Sequence, residues 1–269
     1  MEVLDATWSR LLALRHGEAI APDAAFRLYG PIAGARGRMV LAQVGQSLDG
    51  RVATAAGDAR DISGHDGLVH LHRCRALVDA VIVGVTTVKA DDPRLSVRMV
   101  KGPSPVRVVI DCHGELDGGE GLFHDGGAPV IVFQSLHAEG CALSQAEVIK
   151  LRTTSCGIDP HQILEELAKR NLNRVLVEGG ARTIARFIDA GLVDRLHVAV
   201  SPLIIGSGPS GITLSPIQRL SCAHRPAIEV YDLGSDILFD CQFRPKGKVG
   251  PVEQKNAVAV DAGASLLSV

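Results

Sequence analysis

The sequence predicts an α/β fold: a mostly parallel central sheet flanked by helices, with an antiparallel C-terminal hairpin. Three observations carry the α/β layout. Short apolar runs at 38–44, 79–83, 106–111, 128–133 and 174–178 have the near-continuous hydrophobicity of strands buried on both faces. Helix signals fall between several of them, the alternation of α/β architecture. Residues 227–233 and 236–243, joined by Gly234-Ser235, read as a hairpin closing the sheet.

At 269 residues and 46% apolar content the chain has ample material for a core. A net charge of −2, from 28 basic and 30 acidic residues, provides no general field for nucleic acid or an anionic membrane. Aromatic residues at 3% leave little for stacking on single strands. No apolar run approaches the ~18 residues that cross a bilayer, and Met1-Glu-Val-Leu-Asp5 lacks a basic leader region. The expectation is a cytoplasmic protein with no nucleic-acid or membrane partner. Its six cysteines form no C-x-x-C pair, so neither a disulfide scaffold nor a metal site is expected. His137-Ala-Glu139 matches the H-x-E half of a zinc nucleobase deaminase, but the P-C-x-x-C half is absent.

Taken in order, residues 1–37 read as a helical extension followed by a linker. Asp5 or Thr7 caps a helix carrying Trp8, Leu11, Leu12 and Ala19 at near-helical spacing, and the Gly-rich segment 30–37 is the linker. The first strand, 38–44, ends at Gly45, which allows close backbone approach, and Asp49-Gly50 makes a tight turn. Ser63 is the expected N-cap of a helix over 64–76. On it Leu68, Leu71 and Arg75 share a stripe, so Arg75 either snorkels or points into a cleft to receive an anion.

The strand at 79–83 runs into Gly84-Val-Thr-Thr-Val-Lys-Ala-Asp-Asp-Pro-Arg-Leu-Ser-Val-Arg98, read as a polar loop at the carboxyl edge of the sheet. Ligands of open α/β sheets bind at that edge, and this loop concentrates hydroxyls, carboxylates and guanidinium groups there. Asp91 and the spare cation Arg98 are its candidates. The strand at 106–111 ends in an acid followed by Cys112; strands at 128–133 and 147–151 follow. Asp159-Pro160 starts a helix with Asp as N-cap and Pro in the first position.

A last βα unit spans 174–191. Its strand ends at Glu178, Gly179-Gly180 make a tight turn, and a helix begins near Ala181, where bared N–H groups suit a pyrophosphate. Gly206-Ser-Gly-Pro-Ser-Gly211 fits the dinucleotide pattern G-x-G-x-x-G, but Pro209 interrupts it and no helix start follows; it is a decoy.

Together, Ser47-Leu-Asp-Gly50, the T-V-x-A-D-D-P-x-L-x-x-R core within 84–98, Val177-Glu-Gly-Gly180, Gly191-Leu-Val-Asp194 and Pro202-Leu-Ile-Ile-Gly206 occur in the order and spacing of the pyrimidine reductases of riboflavin biosynthesis. The chain resembles the C-terminal reductase half of the bifunctional deaminase/reductase, over residues 38–244. That resemblance implies a dihydrofolate-reductase-like fold, a homodimer, and NADPH-dependent reduction of the ribosyl chain of 5-amino-6-(5-phosphoribosylamino)uracil. It implies that Gly45, Thr87, Asp91, Cys112 and the turn and helix start Gly179, Gly180, Ala181, Arg182, Thr183, through Arg186, contact NADPH. It implies that Ser63, Arg75, Leu95, Arg98 and Glu178 contact substrate, the two arginines on its 5′-phosphate, and leaves Asp91 and Glu178 as proton-transfer candidates. The division is then 1–37 extension, 38–244 reductase, 245–269 mobile tail.

The chain departs from the family at Gln43, where Lys is usual, at Ala59 for Ser, at Asp61 for Trp, and at Cys112 for Ser or Thr. These leave two alternatives open: the same fold and cofactor acting on the undeaminated diaminopyrimidinone or a pteridine-like ring, or a non-catalytic nucleotide-binding protein.

Overall fold

The computed structural model describes residue 1 and residues 3–14 and 23–243. In chain order the elements are α1 (Asp5–Leu14), α2 (Ala24–Ala33), β1 (Met39–Ser47), α3 (His65–Leu77), β2 (Ala80–Gly84), α4 (Val85–Asp91), β3 (Val106–Ile110), β4 (Val130–Ser135) and β5 (Glu147–Leu151). They continue with β6 (Thr153–Thr154), β7 (Gly157–Ile158), α5 (Pro160–Ala168), β8 (Arg174–Glu178), α6 (Ala181–Asp189), β9 (Arg195–Ser201), β10 (Ala227–Asp232) and β11 (Ile237–Gln242).

Nine of these strands form one sheet in the order β10-β11-β9-β1-β8-β2-β3-β4-β5, while β6 and β7 make a small ribbon. The run from β9 through β5 is parallel; β11 pairs antiparallel with β9, and β10 antiparallel with β11. From β1 the chain steps outward through β2, β3, β4 and β5, then returns to lay β8 between β1 and β2 and β9 beyond β1. That reversal places a crevice over the carboxyl ends of β1, β2 and β8.

The near-continuous apolar runs are explained by burial on both faces. Met39 and Leu41 of β1 enter a core under α1, α2 and α3. Their neighbours Val40, Ala42 and Val44 enter a second core under α5 and α6. Val81 and Val83 against Ala80 and Ile82 of β2, and Leu176 against Val175 and Val177 of β8, divide the same way.

Several elements differ from expectation. The segment 30–37 is not all linker: Gly30 and Pro31 lie inside α2, which Asp23 caps by accepting a hydrogen bond from Phe26 N at 2.7 Å. Nor is the N-terminal part peripheral, since Leu11, Leu28, Tyr29 and Ile32 have no exposed surface and belong to the main core. Trp8 Nε1 donates to Lys101 O at 2.8 Å. Thr7 lies within α1, its hydroxyl donating to Asp23, so the helix starts at Asp5. Ala19 lies outside the described residues, as does the tail 245–269.

The first half of the expected polar loop is α4, whose left-handed C-cap Asp92 accepts from Gly121 N at 2.8 Å. Ser63 does not cap α3. The cap residue is Gly64, and the free N–H groups are satisfied from the β10–β11 turn, 169 residues or more away. There Asp236 accepts from Gly64 N and Gly67 N, and Ser235 Oγ accepts from Asp66 N. The expected hairpin and the Asp159-capped helix stand where the sequence put them. No helix opens at Gly206–Gly211; the next helical residues are a short 3₁₀ turn, Leu220–Cys222. No described helix is long and apolar enough to cross a membrane.

Candidate active site

A cleft of ≈ 400 Å³ opens over the carboxyl ends of β1, β2 and β8, within the range of small-molecule sites. Its floor is Gln43, Val44 and Gly45 of β1, Val83 of β2 and Glu178 of β8. Gly67, Leu68, Leu71 and Arg75 of α3 form one wall, so the stripe read from the sequence faces the cleft. Thr87, Asp91, Pro93 and Leu95 form another, and Gly179, Gly180, Ala181 and Ile184 a third. Ala59, Asp61 and Ser63 arch over the opening.

The third wall is a cradle of missing side chains. Gly179 and Gly180 have φ of 61° and 68°, values that a residue with a Cβ rarely adopts. A Cβ on Gly180 would sit 3.2 Å from Thr87 Oγ1 and 3.3 Å from Thr183 Oγ1, and one on Gly84 would sit 2.8 Å from Thr183 Oγ1. Two hydroxyls and the start of α6, which no side chain caps, therefore meet at one glycine turn. Unpaired N–H groups beside hydroxyls suit a phosphate group. Gly45 has a different reason to be glycine: a Cβ there would lie 2.3 Å from Ser63 Oγ.

Glu178 and Arg75 are both buried and pair in a fork, with Arg75 Nε to Oε1 at 2.7 Å and Nη2 to Oε2 at 2.6 Å. The remaining guanidinium nitrogen, Nη1, donates to Ser96 O at 3.1 Å. Arg75 is thus not the spare cation expected from its stripe; its charge is already matched. Bidentate geometry of this kind fixes both groups as a unit. Gln43, opposite Glu178 in the β1–β8 register, is buried, and its Oε1 has no hydrogen-bond partner. A buried acceptor without a partner, on a cleft floor, awaits a donor from a ligand. Asp91 is exposed at the rim, and partial desolvation there raises its carboxyl above the ordinary value. Leu95, 1% exposed, holds φ of 55°, a strained backbone for a bulky residue.

Other expected residues stand apart. Arg98 lies outside the cleft, beside Val69 and Arg73 in a neighbouring groove, where its Nη1 donates to Ser96 Oγ at 2.9 Å. Arg182, exposed, and Cys112, half-buried, do not line the cleft either. Cys112 follows β3 near Gly157 and Arg186, and Arg186 donates to Ile158 O.

Two of the motifs turn out to be halves of one joint. Asp49 accepts from Ser47 Oγ, Ile205 N and Gly206 N, which pull its carboxyl down to about 2. Ser47-Leu-Asp-Gly50 and Pro202-Leu-Ile-Ile-Gly206 are therefore coupled through this joint, which fixes the loop beside the cleft.

Sequence reasoning missed a buried polar row. Glu178, Gln43, His197 and Asp240 stand in register across β8, β1, β9 and β11, on the sheet face that α3 covers. Each is flanked in its strand by apolar or small residues, so only the fold reveals the row.

A central sheet with its crevice at the β1/β8 reversal, a glycine cradle at a helix start and a buried carboxylate beside it define an enzyme of the dihydrofolate-reductase-like class. Residues 38–239 match the RibD C-terminal domain, and the chain belongs to that family, the reductases of riboflavin biosynthesis. It is 35% identical over 211 residues to a 2,5-diamino-6-ribosylamino-4(3H)-pyrimidinone 5′-phosphate reductase of Methanothermobacter thermautotrophicus, covering 75% of this chain and 96% of that protein. It is 34% identical over 199 residues to the riboflavin biosynthesis protein RibD of Aquifex aeolicus, covering 72% of this chain and 54% of that one. A solved Thermotoga maritima diaminohydroxyphosphoribosylaminopyrimidine deaminase/5-amino-6-(5-phosphoribosylamino)uracil reductase superposes with a TM-score of 0.68 at 27% identity, over 81% of this chain and 60% of that one. The chain thus spans about half of bacterial RibD and nearly all of the archaeal reductase. Reductases of this family use a nicotinamide cofactor.

Proposed function

We propose that the chain reduces the ribosyl chain of 5-amino-6-(5-phosphoribosylamino)uracil to the ribityl product with NADPH. The observation that carries this reading is the glycine cradle of Gly84, Gly179 and Gly180 beside the Arg75–Glu178 pair in one cleft. The cradle and the N–H groups of α6 fit a dinucleotide pyrophosphate, with Thr87 and Thr183 as hydroxyl donors. Bound NADPH would supply the hydride, which reduces C1′ of the ring-opened sugar.

The chain's own residues bind and orient. Gln43 Oε1 accepts a ring N–H of the pyrimidine. Glu178, held rigid by Arg75, accepts sugar hydroxyls on the cleft floor. Leu68, Leu71 and Ile184 exclude water from the reacting carbon. Asp91, whose raised pKa keeps a proton available at higher pH than an ordinary aspartate, is the proton donor to the imine nitrogen as C1′ takes the hydride. Ser63, Leu95 and Arg98 remain proposed substrate contacts, Arg98 by swinging its exposed guanidinium toward the phosphate. Cys112 and Arg182 remain proposed cofactor contacts on the far side of β3 and α6. We further propose the cytoplasm as its location, residues 38–244 as the reductase unit, and a homodimer through the edge strand β10, where Ile228 and Val230 are exposed.

A second reading, the undeaminated diaminopyrimidinone as substrate, is favoured by the archaeal relative that the chain matches almost end to end. The two rings differ at C2, oxo against amino. The test is to follow NADPH absorbance with each compound in turn, and with NADH. Faster turnover with the uracil and NADPH supports the first reading. Faster turnover with the amino compound transfers the assignment to the second, and no turnover with either overturns both.

A further inference from the structure

Beneath the cleft, at the far end of the buried polar row, three donors converge: His70 and Cys74, one turn apart on α3, and His197 on β9. All three side chains have no exposed surface. His70 Nε2 lies 3.1 Å from His197 Nδ1, and Cys74 Sγ lies 3.6 Å and 3.8 Å from those two nitrogens. A tetrahedral zinc ion with Zn–N near 2.05 Å and Zn–S near 2.3 Å separates its ligand atoms by roughly 3.4 Å for N and N and roughly 3.6 Å for N and S. The triangle fits that spacing to within a few tenths of an ångström.

The surroundings fit as well. Metal-bound histidines commonly pass their other ring nitrogen to an outer partner that fixes the tautomer; His70 has one, and His197 has a carboxylate close by. His70 Nδ1 lies 2.8 Å from Tyr29 Oη, and His197 Nε2, which makes no hydrogen bond, has the Asp240 carboxylate 3.4 Å away. Asp240 is itself oriented by Arg195. No C-x-x-C spacing marks these ligands; they are an i, i+4 pair on a helix and a residue 123 positions further on.

We propose that His70, Cys74 and His197 form a buried structural site for a thiophilic d¹⁰ cation, Zn²⁺ or Cu⁺, that clamps α3 to β9. Binding replaces the Cys74 S–H proton, which leaves to solvent, and leaves each imidazole neutral with its outer N–H intact. Three-coordinate soft sites suit Cu⁺, whereas Zn²⁺ would add a water as fourth ligand.

The test is metal content of the full chain after purification without chelator, and again after unfolding with chelator and refolding with ZnCl₂, with Cu⁺ under reducing conditions, or with neither. Retention of about one equivalent per chain, a higher melting temperature in the loaded protein, and loss of both in Cys74→Ala but not in Cys156→Ala at an exposed thiol are expected. Co²⁺ substitution should add a thiolate charge-transfer band that Cys74→Ala abolishes, a signature that mere packing would not produce. Should Cys74→Ala fail to fold, His197→Asn provides the second ligand knockout. A fully folded chain that takes up none of these ions on refolding, with an unchanged melting temperature, overturns the proposal and leaves a metal-free chain of hydrogen bonds from Tyr29 through His70 to His197.

Discussion

At the scale of single residues, the Arg75–Glu178 pair dominates, because both members are buried and each satisfies the other. Removing one leaves a buried charge without a partner, a loss of about 3–5 kcal/mol. Glu178→Ala should therefore lower stability by that order in urea titrations as well as abolish turnover. The double variant Arg75→Leu with Glu178→Leu should recover much of the stability and none of the activity, which separates the structural part of the pair from its place in the cleft. His72 gives a pH dependence. Burial, then the neighbouring Arg75 and Arg98 charges, depress its pKa to about 4 from an ordinary 6.5, and its Nδ1 accepts from Arg98 N at 2.9 Å. The folded state therefore refuses a proton that the unfolded chain takes up, so stability present above pH 6.5 is lost as pH falls toward about 4. Melting temperatures across that window should fall in the wild type and fall less steeply in His72→Gln. Gln43 was legible as a departure from a family pattern. Its lack of a partner was not, because satisfaction of a buried amide depends on what neighbouring strands place beside it.

At the scale of elements, the Gly179-Gly180 turn and the start of α6 act together. Gly180→Ala would place a methyl group 3.2 Å from Thr87 Oγ1 at a φ of 68°. We expect it to cost roughly 1–2 kcal/mol of stability and to raise the KM for NADPH far more than that for the pyrimidine, read from initial rates. This turn was legible, since a strand ending in Glu and two glycines is a local pattern. The cap of α3 was not, although the helix itself was: the cap comes from Ser235 and Asp236, on the turn of a hairpin remote in sequence, and no local rule can see that partner. Nor was α2, because Gly30 and Pro31 read as helix breakers while burial of Leu28, Tyr29 and Ile32 outweighs their low propensity. The N-terminal helices are consequently part of the core. Trp8→Ala should lower stability by about 3–5 kcal/mol in urea titrations, where a detachable extension would show almost no change.

At the scale of the molecule, the parallel sheet, the hairpin and the position of the cleft were all visible in strand runs and in where polar residues follow them. What the whole fold adds is the cross-sheet row from Glu178 to Asp240, which joins the cleft floor to the buried histidine and cysteine cluster. It also separates residues that the linear motif had grouped: Asp91 and Leu95 face the cleft, while Arg98 lies in the next groove. In the function proposed above, the cleft over β1, β2 and β8 delivers a hydride to the sugar carbon of a phosphorylated pyrimidine. Its most direct test uses NADPH deuterated at the transferable position of the nicotinamide, with the uracil compound and the diaminopyrimidinone in parallel, and locates the label in the product by mass spectrometry. We expect deuterium at C1′ of the ribityl chain with at least one of the two, and loss of that product in Glu178→Ala. Product without deuterium, label at another position, or no product from either compound in a chain that binds NADPH would contradict it.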